Sequence, residues 1–109
     1  VASQQGTVDF IVGQMAGAGT VSARPMFGEY GVYCEGKFIG VICNDRLFVK
    51  PTAAGRAHGV DLPEKPAYEG AKPSLAVPED RVEDADWLAG LIRATWGDLP
   101  APRAKKKKA

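Results

Sequence analysis

The sequence predicts an α+β domain organised around an antiparallel meander, and three observations carry that reading. Residues 30–43, YGVYCEGKFIGVIC, are two apolar runs joined by Glu35 and Gly36, a two-residue hairpin turn in which Gly36 can take positive φ. Val8, Ile11, Val12 and Met15 near the start, and Trp87, Leu88, Leu91, Ile92, Thr95 and Trp96 near the end, follow helical spacing. The chain has 109 residues, 45% of them hydrophobic and 25% charged, which suits one domain with a single modest core.

Taken in order, Ser3 is an N-cap candidate for a helix over residues 4–17. Gly13 weakens that helix, and Gly17 or Gly19 ends it. Residues 21–27, VSARPMF, are extended; Pro25 cannot donate to a ladder, so it belongs at an edge, a strand end or a bulge.

With Glu35 and Gly36 as the turn, the simplest hairpin register sets Tyr33 opposite Phe38, Val32 opposite Ile39, Gly31 opposite Gly40 and Tyr30 opposite Val41. One face then holds Tyr30, Val32, Cys34, Ile39, Val41 and Cys43. The other holds Tyr33, Phe38, Ile42 and the facing glycines. Both faces are apolar, so both are expected to be covered, and the glycine pair would leave a notch open to close approach.

Asn44 and Asp45 separate this hairpin from a strand over residues 46–50. Thr52 caps a short helix that Gly59 stops, and residues 60–73, with three prolines and a glycine, form a loop. A strand at 74–77 and a helix at 83–97 follow, with Glu83, Asp84 and Asp86 at the helix's positive end. Trp87 and Trp96, nine residues apart, project from opposite sides of that helix, one into the core and one toward a partner. Residues 1–99 are the domain, and residues 100–109 a disordered basic tail.

Groups for catalysis are sparse. Cys34 and Cys43 fall on one predicted face without being cross-strand neighbours, so a disulfide is disfavoured and both read as small buried hydrophobes. His58, the sole histidine, reads as a solvated helix end beside Arg56. A thiol enzyme using Cys34 or Cys43 with His58 is the alternative from another class. These three residues lack the short spacings of zinc sites, and no EF-hand, Walker or G-x-G-x-x-G pattern occurs, so no metal or cofactor is expected. The carboxylates of PEDRVEDADW (Glu79, Asp80, Glu83, Asp84, Asp86) read as a helix start.

The segments RPMFGEYGVYCEGKFIGVICNDRLFVKP (residues 24–51), AYEGAKPSLAVPED and DADWLAGLIRATW occur in the order found in the N-terminal domain of the TfoX/Sxy family, which the sequence resembles over most of residues 7–97. The resemblance implies a two-layer fold, with an antiparallel sheet of about five strands and helices packed on one side. It also implies pairing into homodimers and a place in transcription regulation, through the family's association with natural competence. It supplies no catalytic residues.

Residues 1–100 carry thirteen acids and nine cations, a net charge of −4, while Arg103 and Lys105, Lys106, Lys107 and Lys108 add five positive charges. The leading expectation is a non-catalytic interaction domain that dimerises or docks a protein partner through Gly31, Tyr33, Phe38, Gly40 and Ile42. In that reading Gly40→Gln or Phe38→Glu weakens association without unfolding the monomer. The alternative is weak nonspecific nucleic-acid binding through Arg103 and the four lysines. No apolar run approaches the ~20 residues of a membrane span, and the start lacks the pattern of a secretory signal. Cytoplasmic residence without membrane attachment is therefore expected.

Overall fold

The computed structural model describes residues 3–26 and 28–100. The chain begins with helix α1 (Gln5–Gln14) and a 3-10 turn (Ala16–Ala18), then runs through β1 (Val21–Met26), β2 (Glu29–Cys34), β3 (Lys37–Cys43) and β4 (Arg46–Val49). Helix α2 (Ala53–His58), β5 (Glu64–Pro66), β6 (Pro73–Val77), the single turn α3 (Glu79–Val82) and α4 (Ala85–Asp98) complete it. The strands form one six-stranded antiparallel sheet in the order β1-β2-β3-β4-β6-β5. This is the expected α+β architecture with one strand more than expected. The addition is β5, three residues that follow Pro63 and end on Pro66 inside the region read as loop.

Local chemistry sets the turns and helix ends. Glu35 and Gly36 both have positive φ (47° and 84°), as do Asn44 and Asp45 (53° and 62°), the requirement of the tight turns that suit twisted hairpins. The Thr52 hydroxyl accepts from the Gly55 amide at 3.0 Å and caps α2, as its sequence position foretold. The Asp84 carboxylate accepts from the Trp87 amide at 3.1 Å and caps α4. Ser3 does not cap α1, whose N-cap is Gln4 without a side-chain bond. Instead its hydroxyl accepts from the Asp45 amide and its own amide donates to Glu29 Oε1, both at 2.8 Å, tying the chain start to two sheet turns.

One core lies between the helices and one sheet face. Val8, Ile11 and Met15, Val82, and Leu88, Leu91 and Ile92 pack against Val32, Cys34, Ile39, Ile42, Leu47, Val49, Leu75 and Val77. Strand alternation explains the sheet set: every second residue of β4 and β6 points to the helices.

The β2–β3 ribbon departs from the simple register. Cys34 faces Lys37 and Tyr33 faces Phe38 as expected, but the pairing then slips: Val32 faces Gly40, Gly31 faces Val41 and Tyr30 faces Ile42. Ile39 is the extra residue of a β-bulge, and it turns inward together with Ile42. Two expectations are overturned. Gly31 and Gly40 do not face one another, and Ile42 lies fully buried among the helices instead of beside Tyr33 and Phe38. The slip also separates the cysteines. Cys34 belongs to the core, whereas Cys43, adjacent to inward Ile42 and paired with Arg46, points to the opposite face.

Candidate functional site

The observed register, with its bulge, places Arg24 and Met26 of β1, Gly31 and Tyr33 of β2, Phe38, Val41 and Cys43 of β3, and Arg46 and Phe48 of β4 on the sheet face away from the core, so that Val41 and Cys43 leave the face expected for them. Among the described residues, no helix packs on this face. The loop over residues 67–72 walls one side of it instead. Between loop and sheet lies a cleft of ≈ 450 Å³ floored by Met26, Phe38, Val41 and Phe48, with Lys50 and Lys72 on its rim and Leu99 at its end. A second hollow of ≈ 190 Å³ shares Met26, Val41 and Tyr68 with the first and reaches Cys43. A third, of ≈ 320 Å³, lies beyond Phe48 between Arg46 and Lys65. The hollows form a trough running across the strands. Tyr68, 54% exposed, stands at its wall.

The aromatic residues here are organised. Tyr33 and Phe38 rings meet at 5.3 Å between centroids and 54° between planes, a tilted contact of the favourable kind. The Arg24 guanidinium lies 5.1 Å from the Tyr33 centroid and Lys50 Nζ 4.9 Å from that of Phe38. A Cβ on Gly31 would come within 2.6 Å of Met26 Cε and 3.1 Å of the Phe38 ring, so the face fills its own notch with Met26 and Phe38. Gly40 is different in kind. A Cβ there would strike the Phe48 carbonyl oxygen and lie 3.0 Å from Val49 Cα, so its missing side chain admits the neighbouring backbone and not a partner. Of the five residues expected to form the interaction surface, Gly31, Tyr33 and Phe38 are brought together, while Gly40 is structural and Ile42 is core.

Charge is sorted between the two sides. The helix layer carries Glu79, Asp80, Glu83, Asp84 and Asp86, and its cations are engaged: Arg56 pairs with Glu64 and Arg81 with Asp61. Lys37 Nζ donates to the Trp96 and Leu99 carbonyls at 2.9 and 2.8 Å. Around the trough the cations are Arg24, Arg46, Lys50, Lys65 and Lys72, and among the described residues none of them pairs with a carboxylate, although the walling loop also carries Glu69 and Arg46 borders a further hollow with Asp45, Glu79 and Glu83. Glu29 touches the second hollow, but its oxygens are taken by the amides of Ser3 (2.8 Å) and Asn44 (2.9 Å). Burial pushes its pKa up, and the Asn44 amide, with the Ser3 hydroxyl and amide, outweighs that and holds it below the ordinary carboxylate value.

The remaining candidates do not converge. Cys34 and Cys43 are free thiols on opposite sheet faces, and burial raises the pKa of each, reinforced by Glu35 and Glu29 respectively. His58 sits on the helix side, stacked on Trp87 at 5.3 Å and donating from Nε2 to the Trp87 carbonyl at 2.9 Å. A Cβ on Gly90 would come within 2.7 Å of the His58 ring, so that glycine makes room for the stack. The sheet therefore separates His58 from Cys43. No group of three or more His, Cys, Asp or Glu side chains that could hold a metal occurs among the described residues. Trp96 and Trp87 both pack on the core as half-buried residues, Trp96 donating to the Cys34 carbonyl at 2.9 Å, so the two are not divided into one core and one outward residue as expected. Arg103 and Lys105–Lys108 lie outside the described residues. No described helix is long and apolar enough to cross a membrane.

These features define a two-layer α+β sheet domain whose second sheet face is apolar, aromatic and rimmed by cations. The chain belongs to the TfoX N-terminal domain family, which matches residues 13–99. It is also 38% identical over 99 residues to an uncharacterized 12.7 kDa protein in the trpE 5′ region of Spirochaeta aurantia, an alignment covering 91% of this chain and 85% of that protein.

Proposed function

We propose that this chain is a non-catalytic interaction domain serving transcription regulation through a protein partner, and that the partner docks on the sheet face opposite the helices. Membership of the TfoX N-terminal domain family supports the regulatory setting. The observation that carries the docking surface is the trough over Met26, Phe38, Val41 and Phe48, an apolar floor that no helix among the described residues covers. Two free thiols fit a reducing, cytoplasmic setting. The thiol-enzyme alternative loses support because burial raises the pKa of both thiols and His58 lies across the sheet from Cys43, engaged with Trp87.

Affinity capture from the native host compares the wild type, Phe38→Glu in the trough, and Val60→Glu at an exposed turn that does not line it. A partner retained by wild type and Val60→Glu but lost by Phe38→Glu, with unchanged melting, is the expected result. The absence of any species that Phe38→Glu alone releases overturns the proposal.

A further inference from the structure

We infer that the trough takes an acidic, extended peptide segment carrying apolar side chains, an inference that rests on the reading of this face as a docking surface. Three observations point there. The first is charge: Arg24, Arg46, Lys50, Lys65 and Lys72 surround the trough without carboxylate partners among the described residues, while the acids of α3 and α4 belong to the helix layer, Glu79 and Glu83 reaching only the hollow at Arg46. A body of net charge −4 thus presents a positive face, and positive faces meet negative partners.

The second is shape. The hollows share Met26, Val41, Tyr68 and Phe48 in succession, which makes an open channel and not a closed chamber. An extended chain places alternate side chains roughly 7 Å apart on one side, a spacing that suits successive hollows better than one compact ligand does. The third is pre-placement. Lys50 and Arg24 already lie against aromatic rings, so their charged ends are held at the boundary of apolar surface, where a carboxylate is poorly screened.

The same facts weigh against two other occupants. A second copy docking by a two-fold axis would set this cationic rim against itself. A single-stranded nucleic acid stacks bases on open ring faces, and here Arg24 and Lys50 cover those of Tyr33 and Phe38.

The test measures fluorescence anisotropy of the full chain with a short labelled peptide alternating Glu with Leu or Phe. Its Gln-for-Glu and Lys-for-Glu counterparts and a thymidine oligonucleotide serve as comparison probes. The acidic peptide should bind at least about tenfold tighter than the Gln peptide, and the Lys peptide should not bind. The double variant Lys50→Glu/Lys72→Glu should weaken the acidic peptide by about tenfold or more and leave the Gln peptide unchanged, which also shows that the variant is folded. Phe38→Glu should weaken both.

Equal binding of the acidic and Gln peptides, or indifference to the double variant, overturns the acidic-segment inference while leaving the face as an interface. Tighter binding of the oligonucleotide, or sedimentation of a dimer that Phe38→Glu dissolves, assigns the face to those occupants and overturns it too. If no peptide binds but Phe38→Glu still releases the captured partner, only this inference fails. If neither happens, both fail.

Discussion

Replacing Gly40 with alanine separates a structural glycine from a docking one. The added Cβ runs into the Phe48 carbonyl oxygen and lies 3.0 Å from Val49 Cα. Both are backbone atoms of the adjacent strand, so no rotamer change relieves the contact and β3 must move away from β4. Overpacking typically costs about 1–3 kcal/mol, and each ladder hydrogen bond weakened in the process adds roughly 1 kcal/mol. Gly40→Ala should therefore destabilise by about 2–4 kcal/mol, a fall in Tm of roughly 10–25 °C for a domain of this size.

Gly97→Ala is the matched control: an exposed glycine within α4 with nothing within 4 Å of the added Cβ. It should be neutral, or stabilising by up to about 1 kcal/mol, because alanine restricts the unfolded chain and favours helix. Urea unfolding followed by tryptophan fluorescence gives both values on one scale. A Gly40→Ala variant within about 0.5 kcal/mol of wild type, the range of an ordinary surface substitution, would refute the close-approach reasoning. It would also restore Gly40 as an element of the docking surface, the role its sequence position first suggested.

Two further predictions concern the ties around the sheet. Glu29→Gln leaves one of the two amides of Ser3 and Asn44 facing an NH2 donor, so it should cost about 1 kcal/mol near neutral pH, allowing for solvent screening. Because the folded pKa of Glu29 lies below its ordinary value of 4.5, its contribution is present above that value and is lost as pH falls through the folded one. Urea midpoints of wild type and variant should thus converge in acid; a constant gap down to full protonation would refute it. Lys37→Met removes the ammonium that holds the Trp96 and Leu99 carbonyls and lies 3.7 Å from the Trp96 centroid. It should cost about 1–2 kcal/mol and raise amide exchange in the last turn of α4, whereas unchanged exchange there would show that the tie is idle.

How much of this was legible in the chain depends on what sets each feature. The turns at Glu35-Gly36 and Asn44-Asp45, the Thr52 cap and the Leu88/Leu91/Ile92 stripe follow from local rules, and local residues sufficed to find them. Pro25 falls on β1, an edge strand, as its missing donor demands. The bulge at Ile39 was not legible, because an extra residue is favoured by the tertiary gain of burying Ile39 and Ile42 together, which pairing rules do not see. A three-residue strand such as β5 carries no periodicity to detect. The cationic rim was hidden for a similar reason. Arg24, Arg46, Lys50, Lys65 and Lys72 are scattered along the chain, and only the strand order gathers them.

The bulge also explains how a ribbon with two apolar faces can stand without a second helical layer. In the simple register Ile42 would have joined Tyr33 and Phe38 outside; the slip sends it into the core, along with Ile39. What remains outside is mostly of a kind that tolerates water: Tyr33 and Phe38 under the charged ends of Arg24 and Lys50, Met26 folded onto Gly31, and Phe48 only 7% exposed. Those cations serve the free domain by covering rings, and they are the groups an acidic segment would engage. Binding would then exchange a cation–ring contact, worth about 0.5–1 kcal/mol when exposed, for a partly buried ion pair. Neutralising Lys50 should therefore produce two changes at once, weaker binding of an acidic peptide and a smaller gap between that peptide and its uncharged counterpart, whose own affinity stays as it was. A merely decorative lysine would produce neither change.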